Sequence, residues 1–148
     1  MAQTTTALSG AAGTLSVRIN NTGSFTDISG SSQSVDTVTM TRITGEAYTL
    51  EGTYAVLTFG KTEPSEVKVN ILYTDTPAEG YQTLLAAWNS DHVVEVKWIP
   101  GGAAVGADTY TTSAGKITAA DLPALDASSA GPIMCSFTVR VASITHAT

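Results

Sequence analysis

Strict alternation of apolar and polar residues runs through most of this chain. In "TLSVRIN", Leu15, Val17 and Ile19 share one face while Ser16 and Arg18 share the other. "SEVKVNILYT" repeats the pattern, with Val67, Val69, Ile71 and Tyr73 opposed to Glu66, Lys68 and Asn70. "VVEVKWIP" sends Val94, Val96 and Trp98 inward, and "IMCSFTVRVASI" is a long strand carrying Ile133, Cys135, Phe137, Val139 and Val141. Period two with one apolar face is the mark of a half-buried β-strand. "YAVLTFG" is apolar on both faces and predicts a central strand. "SVDTVTMTRITGE" is Thr-rich and β-branched; its apolar phase slips between Val35 and Val38, as at a bulge, and Gly45 marks a turn. "TYTTSAGKITAADL" reads as a hairpin or irregular strand pair about Gly115. The loops are "NTGSFTDISGSSQS", with a short strand around Phe25 to Ile28, then "GGAAVGAD" and "PALDASSAGP".

The period changes once. Thr76, Pro77 and Glu79 have the spacing of a capping box with proline at the first helical position. Tyr81, Leu84, Leu85 and Trp88 then recur at i, i+3, i+4 and i+7, one apolar stripe expected to pack on the sheet. Gly80 inside that helix costs about 1 kcal/mol relative to Ala, so packing must hold the element. About eight strands and one helix make the fold class mainly β, a sandwich or barrel with one packed helix. Residues 1–13 are small and polar and read as a flexible arm; residues 14–148 form one domain.

Composition narrows the function. Charged residues make up only 14%, against about 25% in average soluble proteins. Thirteen Asp and Glu oppose seven Lys and Arg, for a net charge of −6. That balance argues against gripping nucleic acid, which takes clustered cations. Thr, Ser, Ala and Gly fill the positions charges usually occupy, as in surfaces covered by other subunits. No run approaches the roughly 20 apolar residues of a membrane span, and the opening "MAQTTTALSGAAG" lacks a secretion signal's basic start and apolar stretch. A lone cysteine, Cys135, excludes an internal disulfide framework, and an intracellular product is expected.

Candidate chemistry is sparse. His92 falls at a helix–strand turn and His146 beside the C-terminus, without a nucleophile elbow or spaced metal ligands around them. "GGAAVG" and "GKIT" lack the remainder of a phosphate loop. Cys135 falls on an apolar strand face, where an inert buried thiol is expected. The expectation is a protein with no catalytic residues, metal or cofactor.

The order of features resembles the major tail tube proteins of long-tailed, siphovirus-type phages. The residues that carry the resemblance are "GSFTDISGSSQSVD" (23–36), "EPSEVKVNILYTDTPAEGYQTLLAAW" (63–88), "VVEVKWIPGG" (93–102) and "LPALDASSAGPIMCSFTVRV" (122–141). It implies hexameric rings stacked into a hollow tube, with strands from all six subunits forming a β-barrel lining. Six copies of −6 give a formal −36 per ring, so that DNA slides through without specific binding. Asp36, Glu46, Glu51 and Glu66 are the lumen-facing acidic candidates, on a 34–51 hairpin and the 65–74 strand. Tape-measure, terminator and tail-tip proteins are the implied partners, no membrane is involved, and the implied location is the virion tail, built in the host cytoplasm. A non-catalytic β-sandwich binding module, such as a virion decoration or carbohydrate-binding domain, is the alternative.

Overall fold

A computed structural model of the chain describes residues 3–4, 7–102 and 104–148. Residues 1, 2, 5 and 6 of the expected arm and residue 103 of the "GGAAVGAD" loop lie outside the described residues. Two antiparallel sheets face each other. The first has five strands in the order β11-β8-β7-β1-β2, built from β1 (Thr14–Ile19), β2 (Thr26–Asp27), β7 (Val94–Ile99), β8 (Thr109–Thr112) and β11 (Ile144–Ala147). The second has four in the order β3-β6-β10-β9, from β3 (Ser32–Val35), β6 (Ser65–Leu72), β9 (Lys116–Ala120) and β10 (Met134–Val141). A separate pair, β4 (Arg42–Ala47) with β5 (Val56–Thr62), belongs to neither. The fold is mainly β, with one α-helix, α1 (Gly80–Asn89).

Alternation explains the core. β6 and β10 pair along their full length, from Ser65 opposite Val141 to Leu72 opposite Met134. This register stacks Val67 on Val139, Val69 on Phe137 and Ile71 on Cys135, all buried. Leu15, Val17, Val94 and Val96 meet them from the five-stranded sheet in one continuous cluster. Fully burying such aliphatic or aromatic side chains contributes roughly 1.5–3 kcal/mol each. Cys135 is part of this cluster, and burial pushes its thiol pKa up.

The helix closes one end of the sandwich. Tyr81 is buried with its ring 5.5 Å from that of Phe137, and its hydroxyl donates to the Asp121 carbonyl at 3.3 Å. Gly80, Tyr81, Leu84 and Ala87 form the buried face, Leu85 is half-buried, and Trp88 is 45% exposed. The stripe is therefore rotated from the expected one: Ala87, rather than Trp88, meets the core in the last turn. The expected capping box does not form. Glu79 is the N-cap residue and makes no side-chain capping bond, while its amide donates to the Thr76 carbonyl in a preceding turn. Gly80 is required by close approach, since a Cβ there would sit 2.6 Å from Ile71 Cδ1 and 2.7 Å from Ser31 Oγ.

Two strand expectations change. "TYTTSAGKITAADL" is not a hairpin: β8 stays in the five-stranded sheet and β9 joins the four-stranded one. The chain crosses between sheets at Gly115, which forms a bridge with Val94 and whose missing Cβ would lie 2.1 Å from the Arg140 carbonyl oxygen. The segment 34–51 is not a hairpin either, because β3 pairs with β6 and β4 pairs with β5.

Candidate assembly surface

The β4–β5 hairpin continues the β3–β6 ladder beyond the sandwich. Asp36 N donates to Lys68 O at 3.0 Å, Ser65 Oγ to Thr39 O at 3.2 Å, and Glu63 N to Thr41 O at 2.8 Å. Beyond these rungs every residue of β4 and β5 is exposed. "YAVLTFG" is thus not a central strand of the sandwich, although its apolar character on both faces is real. Phe59 is 67% and Leu57 58% exposed, with Ile43, Tyr48, Tyr54 and Val56 also open to solvent. Several large apolar side chains left open on one strand pair are the kind of surface that marks an interaction site.

The two faces of the hairpin differ. Register places Thr44 opposite Phe59 and Glu46 opposite Leu57 on one face, and Gly45 opposite Thr58 and Ala47 opposite Val56 on the other. Gly60 lies against Ile43 on that second face, where a Cβ would stand 3.3 Å from Ile43 Cβ. One face therefore carries Leu57 and Phe59, and the other Ile43 and Val56 with the small residues Gly45, Ala47, Thr58 and Gly60 between them.

A groove of about 480 Å³ opens where the hairpin leaves the sandwich. Val35, Val38, Met40, Trp98, Tyr110 and Ile144 supply its apolar walls, and Asp36 is the one charged residue among the described residues that line it. Trp98 stacks on Tyr110 with centroids 5.5 Å apart, and Tyr110 on His146 at 5.1 Å. His146 Nε2 sits 3.0 Å from Asp108 Oδ1, tying the last strand to the β7–β8 loop.

Outside the groove, the solvent face of the four-stranded sheet is polar and self-neutralised. Glu66 lies opposite Arg140, 3.3 Å apart, with Lys68 two residues on along β6. Asp36, which also borders the groove, turns its carboxylate to this face, where Oδ1 accepts from Asn70 Nδ2 at 2.7 Å. Lys116 reaches Asp91 at 2.7 Å. On the outer face of the five-stranded sheet, the Phe25 ring lies between the Arg18 guanidinium, 5.0 Å from its centroid, and Lys97 Nζ at 4.6 Å.

No protein-family model matches the sequence, and no curated protein matches it either. Solved structures do. The chain is similar to one in the cryo-EM structure of the anti-feeding prophage baseplate, six-fold symmetrised, with a TM-score of 0.73, 12% identity, and coverage of 99% of this chain and 97% of that one. A second likeness is to a chain in the tail of an empty gene transfer agent particle, determined with helical refinement and C6 symmetry: TM-score 0.70, 14% identity, coverage 96% and 100%. The chain has a tail-tube-like fold. A third likeness, at TM-score 0.67, 13% identity and coverage of 90% and 88%, is to a chain of the sheath-tube complex of an extracellular contractile injection system. The fold is thus shared with contractile systems and with gene transfer agents, and does not belong to siphovirus-type tails alone.

Within this tail-tube-like fold the four acidic candidates do not form one patch. Asp36 and Glu66 lie on or beside the four-stranded sheet, whereas Glu46 and Glu51 belong to the hairpin and its tip. Lys68 and Arg140 balance the first two, so the solvent face of this sheet is near neutral rather than acidic. Sequence reasoning missed the hairpin and the groove. The one available signal was the doubly apolar "YAVLTFG" beside a phase slip.

Proposed function

We propose that this chain is a structural subunit of a tail-like tube, assembling as hexameric rings that stack into a hollow conduit for DNA. The observation that carries the reading is the exposed two-faced hairpin, an apolar arm that only another chain can cover. Three further features support it: the fold likeness to chains of C6-symmetric tail particles, the low content of charge, and free edges on both sheets. Exposed edge strands are templates for pairing with another copy unless a protein blunts them. Because contractile systems share the fold, the tube itself is the unit proposed, not a particular tail type.

In this reading the solvent face of β3, β6, β10 and β9 lines the bore. Its ion pairs and its Ser, Thr and Asn side chains leave no cluster of unpaired cations for phosphate to grip, so DNA moves past without release of its counterions. Terminator, tape-measure and tail-tip proteins are the partners such a tube requires. Negative-stain microscopy of concentrated protein tests the proposal. The expected result is six-fold rings or tubes about a hundred ångström wide, from six domains each with a radius of gyration near 15 Å. A species that stays monomeric at every concentration, with or without tail initiators, overturns it.

A further inference from the structure

A second hollow, of about 190 Å³, lies where α1 ends. Trp88 lines it from the last turn of the helix, Asp91 and His92 from the turn that follows, and Lys116 and Ile117 from the start of β9. Trp88 commits little of its area to the core: it is 45% exposed, while Ala87 takes the buried position beside it. A large indole that packing does not require is a surface for contact, with an apolar face and a polar edge.

The polar groups around the indole are held in place and balanced in charge. Asp91 has a φ of 53°, the left-handed backbone that Gly, Asn and Asp adopt most readily. Its amide donates to the Trp88 carbonyl at 3.1 Å, and the His92 amide to the Ala87 carbonyl at 3.0 Å. These bonds close the helix and hold Asp91 where its Oδ2 meets Lys116 Nζ at 2.7 Å. The pair cancels its own charge, yet the two side chains are 83% and 52% exposed, so both keep hydrogen-bonding capacity to spare. Among the described residues no hydrogen bond engages the ring of half-buried His92.

We propose that this hollow binds a neutral sugar, one pyranose ring of the hexose class. The apolar C–H face of the ring stacks on the Trp88 indole. Adjacent hydroxyls donate to the Asp91 carboxylate and accept from the Lys116 ammonium, and another reaches the His92 ring. Charged ligands fit less well, because an anion meets Asp91 and a cation meets Lys116. A cavity of about 150 Å³ takes up a benzene ring, so this hollow has room for one saturated six-membered ring. The site asks nothing of assembly and stands apart from the tube reading.

Saturation-transfer NMR on the full chain tests it, because the signal is read on the sugar and serves monomer and assembly alike. The probes are the methyl glycosides of glucose, galactose, mannose and N-acetylglucosamine. At least one should receive saturation at its ring C–H protons, with a millimolar Kd. Trp88→Ala should abolish the transfer while keeping the far-UV circular dichroism of the wild type. Asp91→Asn suits the left-handed backbone and removes the charged acceptor, so it should weaken binding about tenfold. Trp98→Phe, in the larger groove, should leave binding unchanged. The proposal is overturned by the absence of transfer to all four glycosides, or by transfer that survives Trp88→Ala. Loss of binding in Trp98→Phe would overturn it too, as would displacement of the sugar by acetate or methylammonium at equal concentration.

Discussion

Arg18 of β1 closes a two-pronged ion pair on Glu95 of β7, Nε to Oε2 at 2.5 Å and Nη2 to Oε1 at 2.8 Å. The Glu95 side chain is 11% exposed and Arg18 32%. The hydrogen bonding of Arg18 to the Glu95 carboxylate is the main cause that raises the Arg18 pKa, with desolvation opposing it. The asymmetry of exposure predicts an asymmetry of mutational cost. Arg18→Ala strands a mostly buried carboxylate, whereas Glu95→Gln leaves a guanidinium that can turn to water. Thermal melts should show the larger drop in midpoint for Arg18→Ala; equal drops would mean the pair shares its burial evenly.

Gly80→Ala should destabilise the fold despite a better helix propensity. The added methyl meets Ile71 Cδ1 and Ser31 Oγ at under 3 Å, an overpacking that costs about 1–3 kcal/mol. The propensity gain is at most about 1 kcal/mol. Urea unfolding at constant m-value measures the difference, and a stabilised variant would show that the helix start relaxes freely.

Truncations along α1 should separate its two faces. Leu84→Ala removes a buried side chain and should cost about 2–5 kcal/mol. Trp88→Ala removes a half-exposed one and should cost less than about 1 kcal/mol. Denaturant midpoints read both, and a larger loss for Trp88 would restore the unrotated stripe.

Asp27 should titrate below the ordinary carboxylate range. Its Oδ1 accepts from the Ser29 hydroxyl at 2.5 Å and from the Ser29 amide at 2.8 Å, and these bonds lower its pKa. A depressed folded pKa stabilises the fold above the unfolded value of about 3.9, and that stability is lost as pH falls through the folded value. The effect reaches β1 because Ser29 Oγ also accepts from the Leu15 amide at 2.8 Å. An NMR titration of the Ser29 and Leu15 amides should show one shared midpoint below 3.9. In Asp27→Asn that transition should vanish.

Glu66→Lys should leave assembly intact and make the proposed tube sticky to DNA. The substitution sets a second cation opposite Arg140 and two residues from Lys68. The lost ion pair is exposed, so its stability cost is under about 1 kcal/mol. Co-sedimentation of duplex DNA with assembled protein should rise at low salt and fall steeply as salt increases. DNA retention equal to wild type would place that sheet face away from the bore.

The sandwich was legible where one side of a strand meets the core and the other meets water. β6 and β10 follow their alternation residue by residue because each face has one fixed environment within the chain. β5 was misread for a physical reason: a doubly apolar strand reports that both sides become covered, but not whether its own chain covers them. The β8–β9 segment imitates a hairpin because nothing local records a crossing between sheets. On α1, Ala87 gave no signal because a small side chain fills the tight position while a larger neighbour points outward. The groove could not be read at all, since its walls come from β3, β7, β8 and β11, far apart in sequence.

An arm left bare on both faces makes the lone chain the vulnerable state. Until another surface covers it, the hairpin offers the same strand pair to any apolar patch it meets, so wrong partners compete with the right one. A chain built this way is protected by being incorporated, and its concentration beforehand sets how often it is lost.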